Sequence, residues 1–306
     1  MGFFEDAQET FDRGYSAAKG VVSGVAGERL GFVRDFVRLC SDGWSQGWHE
    51  RNGGNASYRL TAEDLKAASS FFYDTPSSWV QLGISAPQMA REYLLVTGAG
   101  KYLRNVEQDP DNNIGIVQIN DSGDAWRLVW GLRNNGRPTS ELASHVLVHQ
   151  VRKEATQGAN RVLYHAHPSH VVALTTLKDA DPRTFTRCLW KVLTESIIAF
   201  PEGLGALPWM VPGSIELAQA TADQMRTYPA CIWALHGVFS SGADCDEAFG
   251  RVQAIEKAAE IYLISRAAHT VVDGTTNLIS DEELRQIADR YDLQVHEDFL
   301  DQPRHA

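Results

Sequence analysis

The run Arg161-Val162-Leu163-Tyr164-His165-Ala166-His167-Pro168 holds the side chains of the chain most suited to chemistry. Branched Val162 and aromatic Tyr164 predict a strand that meets a turn at Pro168. Side chains at i and i+2 of a strand leave the same face, so His165 and His167 stand side by side and Ala166 turns away. Two neutral imidazoles on one face make half of a site for a borderline cation such as zinc, with Zn–N bonds of about 2.0–2.1 Å. A site open to substrate needs a third protein ligand and an acid or base beside it. Taken alone, a His-x-His pair more often belongs to a surface or a hydrogen-bonded core. His170 nearby is either a further partner or one more polar loop residue.

A third ligand is offered by His236, which with Gly237 closes a predicted strand over 230–235, a strand terminus being where sites on sheets gather. A competing set lies on a helix. Thr139 or Ser140 is a natural N-cap for a helix running to about Lys153, with Glu141 in its first turn, where a carboxylate is favoured by the helix dipole in any case. Glu141, His145 and His149 are spaced four apart, share one helical face and could hold a metal without the strand pair. Glu195 lies in an otherwise apolar run (Leu193, Ile197, Ile198, Ala199, Phe200), where a lone buried carboxylate would be costly. A solvent-facing acid on an amphipathic element is the simpler reading there.

Two glycine-rich stretches have the form of anion cradles. Asn52-Gly53-Gly54-Asn55 reaches positive φ easily, and its glycines let backbone amides approach a ligand; an ordinary hairpin turn into the strand 56–60 explains it as well. Thr97-Gly98-Ala99-Gly100-Lys101 follows the strand 93–96 directly, without the glycine spacing of a nucleotide P-loop or a dinucleotide fold.

The elements that must position these residues are legible from periodicity. Leu30, Val33, Phe36, Val37 and Cys40 predict an amphipathic helix over 28–46. Strands are predicted over 114–119 and 126–130, a helix or helix–strand unit over 183–200, and helices over 214–225, 246–268 and 280–291. The last opens on a capping box, Ser280 with Glu283. Residues 61–91 read as a variable excursion, residues 1–27 as a helical or partly ordered lead-in, and the tail after Val295 as loose. No repeat or linker divides the rest, so a single catalytic domain over 28–306 is expected.

Composition limits the partners. With 43% hydrophobic residues, the 306-residue chain can bury a sizeable core. A formal charge of -11 argues against nucleic-acid and anionic-membrane surfaces. Cys40, Cys188, Cys231 and Cys245 are scattered, which favours reduced thiols. No apolar run nears the roughly 20 residues of a membrane span, and Glu5, Asp6 and Glu9 stand where a signal peptide would be positive. A cytoplasmic protein without nucleic-acid or membrane partners is expected.

Together, Asn-Gly-Gly-Asn at 52–55, Thr-Gly-Ala-Gly-Lys at 97–101, Pro-Thr-Ser-Glu-Leu at 138–142, His-Ala-His at 165–167 and His-Gly at 236–237 stand in the order and approximate spacing of the class II aldolase/adducin family. The run Leu207-Pro208-Trp209-Met210-Val211-Pro212-Gly213 makes the match specific. The chain resembles this family over roughly residues 43–268. The resemblance implies an α/β fold, a three-layer α/β/α arrangement around a central, mainly antiparallel sheet, and a homotetramer with active sites near subunit interfaces. It implies that His165, His167 and His236 bind one zinc ion per subunit. Glu141 would be the catalytic base, and Glu195 a second carboxylate acting at the aldehyde end from a neighbouring subunit. Phosphate and hydroxyl contacts would come from Asn52, Gly54, Asn55, Gly98, Ala99, Gly100, Thr139 and Ser140. Ala99 departs from the family pattern, which has a serine there; one hydroxyl fewer should weaken phosphate binding by about 0.5–1.5 kcal/mol.

The activity implied is zinc-dependent, reversible aldol cleavage of a ketose 1-phosphate. L-Rhamnulose 1-phosphate would give dihydroxyacetone phosphate and L-lactaldehyde. Aldolase or epimerase chemistry on L-fuculose or L-ribulose phosphates, and a metal-free adducin-like scaffold, are the alternatives. With a metal as electron sink no Schiff-base lysine is required, and Lys101 is the only lysine beside a candidate loop.

Overall fold

A computed structural model describes residues 30–269 and 277–301; the predicted lead-in over 1–27 lies outside them. In chain order the elements are α1 (Gly31–Ser45), β1 (Asn55–Arg59), α2 (Ala62–Ala68), β2 (Val80–Gln81), β3 (Tyr93–Thr97), α3 (Pro110–Asn113), β4 (Ile114–Ile119), β5 (Ala125–Gly131) and α4 (Leu142–Ala155). They continue with β6 (Val162–Ala166), α5 (Ser169–Thr175), α6 (Pro182–Trp190), α7 (Thr194–Ala199), β7 (Gly205–Leu207), α8 (Ile215–Gln224), β8 (Ala230–Trp233), β9 (Gly237–Gly242), α9 (Cys245–His269) and α10 (Asp281–Tyr291).

The strands form one sheet in the order β2-β5-β4-β3-β1-β6-β9-β8-β7. Every neighbouring pair is antiparallel except β7–β8. Alternation along the strands divides the apolar side chains between two cores. Val162, Tyr164 and Ala166 of β6 join the core beneath α1, α5, α6 and α9, whereas Leu163 joins Leu142 and Val146 of α4 and Leu217 and Ala218 of α8. Each face of the sheet therefore buries its own helix layer, which makes the expected three-layer α/β/α arrangement. The face that carries Leu163 also carries His165.

Four local readings of the sequence change. The α4 helix starts at Leu142, with Glu141 as its N-cap residue instead of a first-turn residue. The chain is still tied to β3 just before it, because the Thr139 amide donates to the Thr97 carbonyl and Gly98 bridges Pro138. The strand read as ending at His236 is one arm of a hairpin, since β9 begins at Gly237 and pairs with both β8 and β6. The excursion over 61–91 contains α2, capped reciprocally by Thr61 and Asp64, and the edge strand β2. The tail after Val295 is docked: Phe299 and Leu300 are buried, and Phe299 packs edge-on against Trp190.

Candidate active site

The site forms where three separate parts of the chain meet at one end of the central strands. β6 carries His165 and delivers His167 just past its end, and the β8–β9 hairpin turns at His236. Residue 55 of β1 is paired in register with residue 165, so the Asn-Gly-Gly-Asn turn opens beside the two histidines. Gly54 allows this close approach: its φ is +72°, and a Cβ there would lie 2.7 Å from the His165 carbonyl oxygen and 2.3 Å from His49 Nδ1. The turn also relies on His49, whose Nδ1 donates to the Gly53 carbonyl while its Nε2 meets the Tyr164 hydroxyl at 2.7 Å.

The three imidazoles present their Nε2 atoms to one another. His165 Nε2 lies 3.1 Å from His167 Nε2 and 3.3 Å from His236 Nε2. The shorter of these, between His165 and His167, is not a hydrogen bond between neutral rings. His165 Nδ1 faces the Val238 carbonyl at 3.0 Å and His167 Nδ1 faces the Glu50 carboxylate at 2.7 Å, so both Nδ1 atoms carry the proton and both Nε2 atoms are bare lone pairs. Burial pushes the His165 pKa well below the usual imidazole value, with the neighbouring His167 and His236 adding to the effect, and burial brings His236 to about 4. Lone pairs held this close repel unless a cation lies between them. Three nitrogens at about 2.1 Å from a common ion at tetrahedral angles would be about 3.4 Å apart, close to the spacing found. The donor set therefore fits a divalent metal. Among the described residues, these three histidines are the one group of metal-ligating side chains converging in this way.

The carboxylate expected beside the cluster is there. Glu141 Oε2 lies 3.8 Å from His165 Nε2 and is almost fully buried. Burial raises its pKa, opposed by the hydrogen bond from Asn55. The cleft above is walled by residues 52–55, 98–100 and 139–141 and by the three histidines. Every site residue expected from the sequence is in this wall except Glu195. That residue is exposed in the first turn of α7 and does not reach the cleft of its own chain.

Two alternatives are set aside and one expectation is narrowed. The helical set Glu141, His145 and His149 is not a metal site: both histidines are buried and their ring nitrogens are turned to Ser57 and Asn55. Backbone amides supply less of the anion cradle than glycine content implies, because those of Gly53, Gly98 and Ala99 already donate to the carbonyls of Glu50, Asn113 and Arg137. Lys101 donates to Asn112 at 3.0 Å and is absent from the cleft wall, so it is not placed as a covalent catalyst. His170 pairs with Glu256 on α9 and stands apart from the cluster. Three contributors were not foreseen. Glu50 orients His167, and Trp233 and Phe239 pack on the His165 ring at 4.6 and 5.9 Å between centroids. Glu50 stands two residues before Asn52, but nothing local points to a partner 117 residues away.

Residues 34–263 match the family described as Class II Aldolase and Adducin N-terminal domain, and the chain belongs to the class II aldolase/adducin family. It is 41% identical over 262 residues, 86% of this chain and 94% of the relative, to a protein named rhamnulose-1-phosphate aldolase in Yersinia pestis. The protein of the same name in Yersinia pseudotuberculosis matches equally. Among solved structures, a sugar-phosphate aldolase from Thermotoga maritima superposes with a TM-score of 0.67 at 28% identity, over 80% of this chain and 97% of that one. The L-fuculose-1-phosphate aldolase from Thermus thermophilus shares the fold, with a TM-score of 0.53 at 19% identity, over 81% of this chain and 99% of that one.

Proposed function

We propose that the protein is a zinc-dependent aldolase that reversibly cleaves L-rhamnulose 1-phosphate to dihydroxyacetone phosphate and L-lactaldehyde. The observation that carries this reading is the convergence of ring nitrogens from three histidines beside a buried carboxylate 3.8 Å from His165 Nε2. His165, His167 and His236 would hold the ion. Once bound, it supplies Lewis-acid charge that stabilises the electron pair left on carbon 3 when the bond between carbons 3 and 4 breaks. Glu141 delivers the proton that carbon 3 needs in the cleavage direction and removes it in condensation, while the carbon 4 hydroxyl gives up its proton to water as the aldehyde forms and regains one in condensation. Its position at the helix start, buried yet bordering the cleft, places its carboxylate against the substrate.

The wall groups divide between the two ends of the substrate. Asn52, Gly54, Gly98, Ala99, Gly100, Thr139 and Ser140 line the side where the phosphate and the adjacent hydroxyls would bind. Asn55 borders the same space, with its carbonyl oxygen and one N–H already engaged by His145 and Glu141. Glu195 belongs to the aldehyde end of a neighbouring subunit in a homotetramer. That assembly is supported by apolar side chains left in solvent close to the site: Trp209, Val211 and Leu235 are each more than half exposed, and Leu235 directly precedes His236. No helix among the described residues is long and apolar enough to cross a membrane. The four cysteines are free thiols, which suits a reducing compartment such as the cytoplasm.

The test is product analysis on purified protein, with L-rhamnulose 1-phosphate and its L-fuculose isomer assayed in parallel, before and after chelation and zinc return. Lactaldehyde from the rhamnulose isomer, lost on chelation and restored by zinc, is the expected result. Cleavage that survives complete metal removal refutes the reading. Glu141→Gln should abolish turnover while zinc stays near one per chain.

A further inference from the structure

From the cleft wall at Glu141 and Asn55 a second row of polar groups runs back into the protein, away from the histidine cluster. Asn55 and Ser57 are two apart on β1. They face His145 and His149, four apart on α4, with Glu141 one step earlier on the same helical stripe. Two strand residues advance about 6.6 Å and four helical residues about 6 Å, so the two rows interlock. Inside the protein the hydrogen bonds form one continuous chain: Glu141 Oε2 to Asn55 Nδ2 at 2.7 Å, Asn55 Oδ1 to His145 Nε2 at 2.5 Å, His145 Nδ1 to Ser57 Oγ at 2.6 Å, and Ser57 Oγ to His149 Nε2 at 2.8 Å.

The polarity of this chain follows from which groups are able to donate. A carboxylate only accepts, so the Asn55 amide N–H donates to Glu141. The Asn55 carbonyl oxygen only accepts, so His145 Nε2–H donates to it. Neutral His145 then has a bare Nδ1, which accepts from the Ser57 hydroxyl, and Ser57 Oγ accepts from His149 Nε2–H. All four donors point toward Glu141. His149 Nδ1 ends the chain, buried and without a hydrogen-bond partner. Aligned bonds of this kind polarise one another in a low-dielectric interior.

We propose that Asn55, His145, Ser57 and His149 are positioning residues that pin one oxygen of Glu141 and leave its other oxygen to meet the proton on carbon 3 of the substrate. The proposal rests on Glu141 being the base. A purely structural role predicts loss of stability and metal together; a positioning role predicts slower proton transfer in an enzyme that still folds, binds zinc and binds substrate. The two are separated by the half-reaction that needs no second substrate. In D2O, dihydroxyacetone phosphate alone gives its proton at the hydroxymethyl carbon to the base and takes back a deuteron, with no carbon–carbon bond made or broken.

Ser57→Thr and Ser57→Val have the same shape and suit a strand equally, and differ only in the hydroxyl. In the zinc-loaded protein, Ser57→Val should exchange about tenfold more slowly than the parent, the lower end of the effect of removing a supporting partner. Its zinc content and half-saturating substrate concentration should be unchanged, and Ser57→Thr should recover most of the lost rate. His149→Gln, which keeps a donor, against His149→Leu, which does not, should repeat the pattern at the far end and covers the case in which Ser57→Val does not fold. Equal exchange rates within both pairs overturn the proposal. A Glu141→Gln protein that exchanges at the parental rate removes the base assignment beneath it, so the two failures are distinguishable.

Discussion

Glu50 gives the sharpest prediction about how the cluster holds its metal. Its carboxylate accepts from His167 Nδ1 at 2.7 Å, which fixes the tautomer and aims Nε2 at the other two rings. Removing the acceptor in Glu50→Ala leaves His167 free to rotate and less basic. A hydrogen bond to a charged group in a shielded setting contributes roughly 1.5–3 kcal/mol. The Glu50 side chain is 65% exposed, however, and solvent screening brings the effect to about 1 kcal/mol, near a fivefold loss of zinc affinity. Competition against a chromophoric chelator at neutral pH measures it directly. Glu50→Gln, which keeps an acceptor without the charge, should lose less. Because Glu50 faces solvent, the gap between parent and Glu50→Ala should narrow as ionic strength rises, while the thermal midpoint of the metal-free proteins stays the same. Zinc affinity of Glu50→Ala within twofold of the parent, or a weaker Glu50→Gln, would show that His167 is oriented by packing and not by this carboxylate.

Three further outcomes are expected. Burial holds His49 at about 4, His145 at about 3 and His149 well below the usual imidazole value. All three are lowered in the fold, so their contribution is complete above about pH 6.5 and is lost as pH falls toward 4, because the unfolded chain takes up the protons. Each adds up to about 1.4 kcal/mol per pH unit. Glu141, raised by burial, works against them, so urea denaturation of the metal-free protein should still show a steep net loss between pH 6.5 and 4.5; a flat profile there contradicts the burial of these rings. Gly54→Ala should cost more than about 1 kcal/mol from its left-handed backbone alone and push the turn off the His165 carbonyl, seen as a lower melting temperature and zinc content. Ala99→Ser restores a hydroxyl to the exposed tip of the cleft loop and should lower KM about two- to tenfold, one hydrogen bond, with kcat unchanged; an unchanged KM would place the phosphate elsewhere.

Much of this site was legible because period-two alternation survives tertiary packing. His165 and Ala166 do leave β6 on opposite faces, and Glu141 and His236 do arrive at the same cleft. What local pattern could not supply were the partners. Nothing in Trp233-Ala234-Leu235-His236 signals a hairpin, since a turn demanding positive φ usually advertises glycine or asparagine. Leu235 nevertheless takes φ +59°, and its amide donates to the Thr175 hydroxyl on α5, 60 residues away. The docked tail is of the same kind, because Phe299 finds Trp190 only once α6 and α7 are in place.

The ambiguity between two histidine sets has a physical origin. A metal site and a hydrogen-bond ladder both require polar side chains repeated at the period of one element, so spacing alone cannot separate His165/His167 from His145/His149. The difference lies in what each row meets. The strand pair sets bare Nε2 against bare Nε2, with the Nε2 of a third imidazole turned to the same point, an arrangement that a cation relieves. The helical pair meets Ser57 and Asn55, which between them offer both donors and acceptors, so every contact closes as a hydrogen bond and no cation is wanted. Donor and acceptor inventory at the point of contact, more than residue type or period, sorts ligands from the groups that support the base.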